Sequence, residues 1–207
     1  MENYSKLKKL IKKELSYTDY MNLTEELINN TDASKLSKED LEIFNYTKLN
    51  YQRSKRIEKT FVPSNEIIEL MTSFNSPQIW LVITENWCGD SAQNLPYIAK
   101  LAEINNNINL KIVLRDTNPE IMDKYLTNGT KSIPIMVVFD EKGFELFKWG
   151  PRPEKLKEEL INLKSKGIIK PELYEKLHLW YGRNRGNELI NELTELLSKL
   201  SYSEISQ

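Results

Sequence analysis

The sequence predicts an α/β domain on a mixed central sheet, in the order β-α-β-α-β-β-α, with helical extensions at both ends. Three observations carry that prediction. An unbroken apolar run of strand length, "QIWLVIT" (78–84), stands just before a helical pattern, as expected of a central strand covered on both faces. Strand-like and helix-like segments then alternate as far as residue 149. The last two strand-like segments, "IPIMVVFD" (133–140) and "GFELFKW" (143–149), meet at "EKG", which suits a hairpin turn.

Each element has its own signal. Residues 1–75 read as a helical extension, because Tyr4, Leu7, Leu10 and Ile11, then Tyr20, Leu23 and Leu27, recur at helical spacing. Ser37 with Asp40 three residues on resembles the N-terminal cap of a helix carrying Leu41, Phe44 and Tyr51. Pro63 and Ser64 open a short helix with Ile67, Ile68 and Met71 on one side. The core spans 76–166. After the first strand, residues 89–104 form a helix with Leu95, Ile98, Leu101 and Ala102 inward and Pro96 as a kink. "INLKIVLRD" (108–116) is the second strand, and "NPEIMDKYL" (118–126) is a short helix with Pro119 in its first turn. "RPEKLKEELINLK" (152–164) follows the hairpin as a helix, and 167–207 adds C-terminal helices to a single domain of 1–207.

Composition bounds the function. The 207 residues are 40% hydrophobic and 29% charged, the balance of a folded globular chain. A formal net charge of −1 argues against a nucleic-acid partner. The basic runs at Lys8, Lys9, Lys12 and Lys13, and at Arg53, Lys55 and Arg56, lie on helical patterns near acids and read as solvated faces. The N-terminus "MENYSKLKKLIKKEL" lacks the apolar core of a signal peptide, and no apolar stretch approaches the roughly eighteen residues of a membrane span. One cysteine excludes an internal disulfide. The expectation is a cytoplasmic protein with no membrane partner.

That cysteine sits in "TENWCGDSAQ" (84–93), where a strand gives way to a helix. Unpaired backbone N–H groups at a helix start favour an anion and lower a thiol's pKa. Ser91, three residues on, is within reach to donate a hydrogen bond to the Cys88 sulfur, whereas Asp90 and Glu85 oppose a second negative charge. The expected sum is a moderately lowered pKa; the structural alternative is a buried, inert thiol. Trp87 either packs or walls the sulfur, and Asp90 is either a helix-start acid or a proton-handling group. Other signals are thin. "NGTKS" (128–132) lacks the core of a phosphate loop, and "GRNRG" (182–186) is too short for a dinucleotide fingerprint. His178, beside Leu177 and Trp180, reads as structural, and no Cys/His set for a metal exists.

"WCGDS" (87–91) at the end of the first strand, "SIP" (132–134) before the third, and the closing hairpin and helix together resemble the thioredoxin fold, whose active-site motif is W-C-G-P-C. "NYTKLNYQR", "ITENWCGDSAQ", "LRDTNPEIMDKYLTNGTKSIP", "WGPRP" and "WYGRNRG" are also similar to a bacterial group of thioredoxin-family proteins defined by sequence rather than by substrate. The resemblance implies a cis Ile133–Pro134 bond close to Cys88, with Ile133 offering its backbone to an extended substrate. The departures are specific. Asp90 replaces the motif proline and Ser91 the second cysteine, giving C-x-x-S. Leu81 and Val82 stand where a buried aspartate is expected, and Ile112 where a lysine is.

A dithiol enzyme resolves its mixed disulfide with a second cysteine, which this chain lacks. The leading expectation is therefore monothiol exchange on protein disulfides or with a small-molecule thiol, without a cofactor. In it Cys88 is the nucleophile and Ser91 its hydrogen-bond donor. Trp87, Ile133 and Pro134 face the substrate, and Asp90 and Arg115 tune the thiol. Arg152 in "WGPRP" is a second candidate cation. The alternative is a non-catalytic binding or chaperone-like module that keeps the fold and has lost the redox pair. Oligomeric state stays open.

Overall fold

The seven uncharged residues of β1 (Gln78–Thr84) take the centre of a four-stranded sheet. β1 pairs in parallel with β2 (Ile108–Leu114), placing Val82 opposite Ile112, and antiparallel with β3 (Ile135–Phe139). The outer strand β4 (Glu145–Trp149) pairs antiparallel with β3, so the order is β2-β1-β3-β4. β3 is buried throughout, whereas β4 exposes Leu146 and Lys148, as an edge strand can. The computed structural model describes residues 2–205, with side-chain surroundings up to Leu200; Met1, Ser206 and Gln207, part of the expected 1–207 domain, lie outside the described residues.

The helices precede, link and follow these strands. The N-terminal extension supplies α1 (Tyr4–Lys8), α2 (Tyr17–Asn30), α3 (Lys38–Thr60) and α4 (Asn65–Thr72). α5 (Gly89–Ala102) crosses from β1 to β2, α6 (Pro119–Met122) precedes β3, and α7 (Glu154–Ser165) follows β4. α8 (Lys170–Asn184) and α9 (Asn187–Ile205) close the described chain. Ser16, Ser37 and Ser64 cap α2, α3 and α4, each accepting a backbone N–H three residues on. The helical spacing that starts at Tyr4 breaks earlier than expected. After Lys8 the chain runs to Leu15, whose backbone exchanges hydrogen bonds of 2.9 and 2.8 Å with Ile112. Capping the free edge of β2 wins over extending a short helix.

Alternation along β1 divides the core. Trp80 and Val82 join Leu95, Ile98 and Leu101 of α5 on one face, together with Met71 of α4 and Leu189, Leu193 and Leu197 of α9. Leu81 and Ile83 join Tyr4 and Leu7 of α1 and Ile121 and Met122 of α6 on the other. The end of β1 and the start of α5 thus come together above a sheet covered on both sides. Among the described residues no helix is long and apolar enough to cross a membrane.

Candidate functional site

Cys88 is the N-cap of α5, its backbone N–H bonded to the Glu85 carbonyl at 3.1 Å and its carbonyl accepting from Ala92 N–H at 3.1 Å. The residue is only 8% exposed, and its thiol donates to the Ile133 carbonyl at 3.4 Å. That hydrogen bond joins two segments 45 residues apart in the chain, and the Ile133–Pro134 bond beside it is cis. "WGPRP" braces this junction. Gly150 has φ +120°, and a side chain there would run into the Pro134 carbonyl, so only glycine allows the approach.

The turn that Gly150 makes delivers Arg152 to Asp90. The guanidinium forks onto the carboxylate, Nε to Oδ1 at 2.9 Å and Nη2 to Oδ2 at 2.5 Å. The Tyr181 hydroxyl of α8 donates to the same Oδ1 at 2.8 Å and accepts from Asn94 Nδ2 at 3.0 Å. Asn94 also donates to the Asp90 carbonyl at 2.8 Å. Asp90 is thus a junction between α5, α8 and the strand-to-helix turn after β4. One turn earlier on α8, the His178 ring lies against Gly89, where an added Cβ would sit 2.8 Å from Cε1. A groove of about 820 Å³ remains, lined among others by Trp87, Cys88, Ile133, Arg152, Tyr174 and His178.

The electrostatics reverse one expectation. Burial first, and then the Asp90 carboxylate, push the Cys88 thiol up to about 11 rather than moderately down. Backbone N–H groups and Ser91 offset only part of that rise. A helix start favours an anion, yet a thiolate removed from water loses more solvation than a few amides return. The role expected of Ser91 is met only in direction. Ser91 favours the thiolate, but its buried Oγ makes no hydrogen bond among the described residues.

Arg115 lines the groove but does not reach Asp90. It stacks 4.7 Å from the centre of the Trp87 ring, pairs with Asp116 at 2.7 Å and donates to the Lys131 carbonyl at 3.1 Å. The cation paired with Asp90 is Arg152. Glu85 is buried and accepts from Asp116 N–H at 2.7 Å; burial raises its pKa. Leu81, Val82 and Ile112 are fully buried and apolar, so these positions put no carboxylate or lysine beneath the thiol.

Sequence reasoning missed Tyr181, Asn94 and the placement of His178. Tyr181 lies 91 residues beyond Asp90, and no spacing rule links them; the one signal was "WYGRNRG" as part of the family-like pattern. Burial, then the Arg53 cation, lower His178 to about 4, so it stands neutral over Gly89, and its Nδ1 has no hydrogen-bond partner among the described residues. No group of three His, Cys, Asp or Glu residues able to hold a metal occurs among the described residues.

A mixed four-stranded sheet with its cysteine capping the helix after the central strand, and a cis X-Pro peptide facing the sulfur, defines a thioredoxin-like protein. The Thioredoxin family model Thioredoxin_9 matches residues 17–165, and the chain belongs to that family. A Pseudomonas aeruginosa protein of unknown function shares the fold at TM-score 0.60, with 16% identity over 97% of this chain and 99% of that one. An HIV epitope-scaffold protein aligns at TM-score 0.51, with 17% identity over 89% and 99% of the two chains. No curated protein matches the sequence.

Proposed function

We propose that this protein is a thioredoxin-fold binding module whose groove receives an extended polypeptide segment beside Ile133, with Cys88 kept as a thiol at rest. The observation that carries this reading is the hydrogen bond from the sulfur to the Ile133 carbonyl at 3.4 Å. It keeps the proton on sulfur, in a place where burial and Asp90 already oppose the anion. With the thiol near 11, roughly one sulfur in ten thousand is ionised at pH 7, and the thiolate is the nucleophile. The absent resolving cysteine supports the same reading.

Monothiol exchange is the second reading, favoured by the groove of about 820 Å³ that reaches the sulfur and by Arg152 at its wall. In that chemistry the Cys88 thiolate attacks one sulfur of a protein or small-thiol disulfide. A mixed disulfide forms, the other sulfur leaves as a thiolate, and an external thiol later frees Cys88 by the same exchange. Two measurements separate the readings. The first is the alkylation rate of Cys88 in native against unfolded protein; the second is recovery of reductant-released partners from oxidant-treated cells. The binding module predicts slow native alkylation, and peptide capture that survives Cys88→Ser. Fast native alkylation with adducts abolished by Cys88→Ser would overturn it in favour of exchange.

A further inference from the structure

A second cavity, of about 600 Å³, lies beyond Tyr181 and shares no lining residue with the Cys88 groove. Two arginines line it, Arg56 from α3 and Arg185 at the end of α8. Arg56, Arg185 and Tyr97 line the same cavity, and both cations lower the Tyr97 pKa against the larger rise that burial causes. Neither has a carboxylate partner among the described residues, and Arg53 adds like charge near Arg56. In a chain whose net charge is −1, this is a local excess of cation.

The cavity also contains an unspent polar group. Gln93 is 5% exposed and lines the pocket, and its amide makes no hydrogen bond among the described residues. The turn that holds Arg185 is built for proximity to Tyr97. Gly186 has φ +82°, and a Cβ there would lie 2.6 Å from the Tyr97 ring, so only glycine lets the turn rest on the phenol. Arg185 itself has φ +52°, a conformation that non-glycine residues seldom take. "GRNRG" therefore positions a cation, although it is too short to bind a dinucleotide.

We propose that this pocket binds a small organic anion, a carboxylate or phosphate on an apolar body. Arg56 and Arg185 fork onto the oxyanion, the Tyr97 hydroxyl and Gln93 amide donate to it, and the body rests on Phe61 and Ile57. Guanidinium groups suit this task because their paired N–H groups match the spacing of carboxylate and phosphate oxygens.

The test titrates the intact protein with benzoate, phenyl phosphate and the neutral benzyl alcohol, read by calorimetry and by chemical shifts of the Phe61 and Tyr97 rings. Saturable binding of at least one anion is expected, with none for the alcohol. Tighter phenyl phosphate assigns the site to phosphate esters, and tighter benzoate to carboxylates. Arg56→Gln and Arg185→Gln should each weaken binding about tenfold, the worth of one charge-assisted hydrogen bond. Both side chains are exposed, so unfolding midpoints should stay put. Arg56→Lys, which keeps the charge and loses the fork, should fall between wild type and Arg56→Gln. The proposal is overturned if neither anion saturates, if benzyl alcohol binds as tightly, or if the arginine variants bind like wild type.

Discussion

Helices α8 and α9 follow one another in the chain, yet different forces hold them. α9 drives Leu189, Leu193 and Leu197 into the main core beside Met71 and Trp149, each at most 1% exposed. Its polar contacts, such as Glu192 accepting from the Trp149 indole at 2.6 Å, are added to that burial. α8 buries only Leu177 and Tyr181, in a small cluster with Leu156 and Leu160 of α7, and leaves Tyr174 and Leu179 about half exposed. Over the thiol it is fixed mainly by Tyr181 on Asp90 and by the His178 ring on Gly89. Apolar area in the main core holds α9, whereas α8 joins a small apolar cluster with α7 to a few directional contacts. A helix of the second kind can leave while the sheet stays folded. The cover on Cys88 and the fold beneath it are therefore expected to open separately.

Leu193→Ala is the strongest way to break this contrast. A fully buried leucine cut to alanine costs about 2–5 kcal/mol, and here the whole domain should bear it. Urea unfolding followed by fluorescence should shift its midpoint by that amount. Cys88 labelling in the absence of urea should rise only in proportion to the global change. If labelling rises while the midpoint stays, α9 is a cover like α8 and the contrast fails.

Asp90→Asn is expected to act more locally. It removes the charge that the Arg152 fork and the Tyr181 hydroxyl meet, a loss of about 1–3 kcal/mol for a charged hydrogen-bonded group. It also removes the second cause of the raised Cys88 pKa, so that pKa should fall below about 11. Alkylation measured against pH should show the lower value and a faster plateau, and hydrogen exchange should quicken in α8 before α9. Equal protection of the two helices in the variant would join them into one unit.

The smallest expected effect is a pH dependence of the cover. His178 is held at about 4 in the folded state against 6.5 for the free group. Because the folded value is the lower, an undocked α8 takes up its proton first as pH falls. The contribution of His178 to docking is therefore complete above about pH 6.5 and declines as pH drops towards 4. Exchange of α8 amides, corrected for intrinsic rates, should accelerate across that window, and His178→Gln should flatten the slope. A slope that persists in His178→Gln would assign it to other groups.

Much of the architecture follows from the sequence alone, because its signals are local. The uncharged run of β1 demanded a central strand, the serine caps marked where α3 and α4 begin, and alternation of segments set the chain order of strands and helices. The position of Cys88 at a strand-to-helix junction and its lack of a second cysteine were legible for the same reason. Tertiary structure decided what the thiol is. Whether a helix start lowers a pKa depends on the water left around the sulfur, and that was set by residues remote in sequence. Asp90 finds Arg152 62 residues on and Tyr181 91 residues on, while the His178 ring settles on Gly89. Desolvation and pairing are sums over neighbours in space, so the same C-x-x-S motif is compatible with an open nucleophile or a covered thiol until the chain has folded around it.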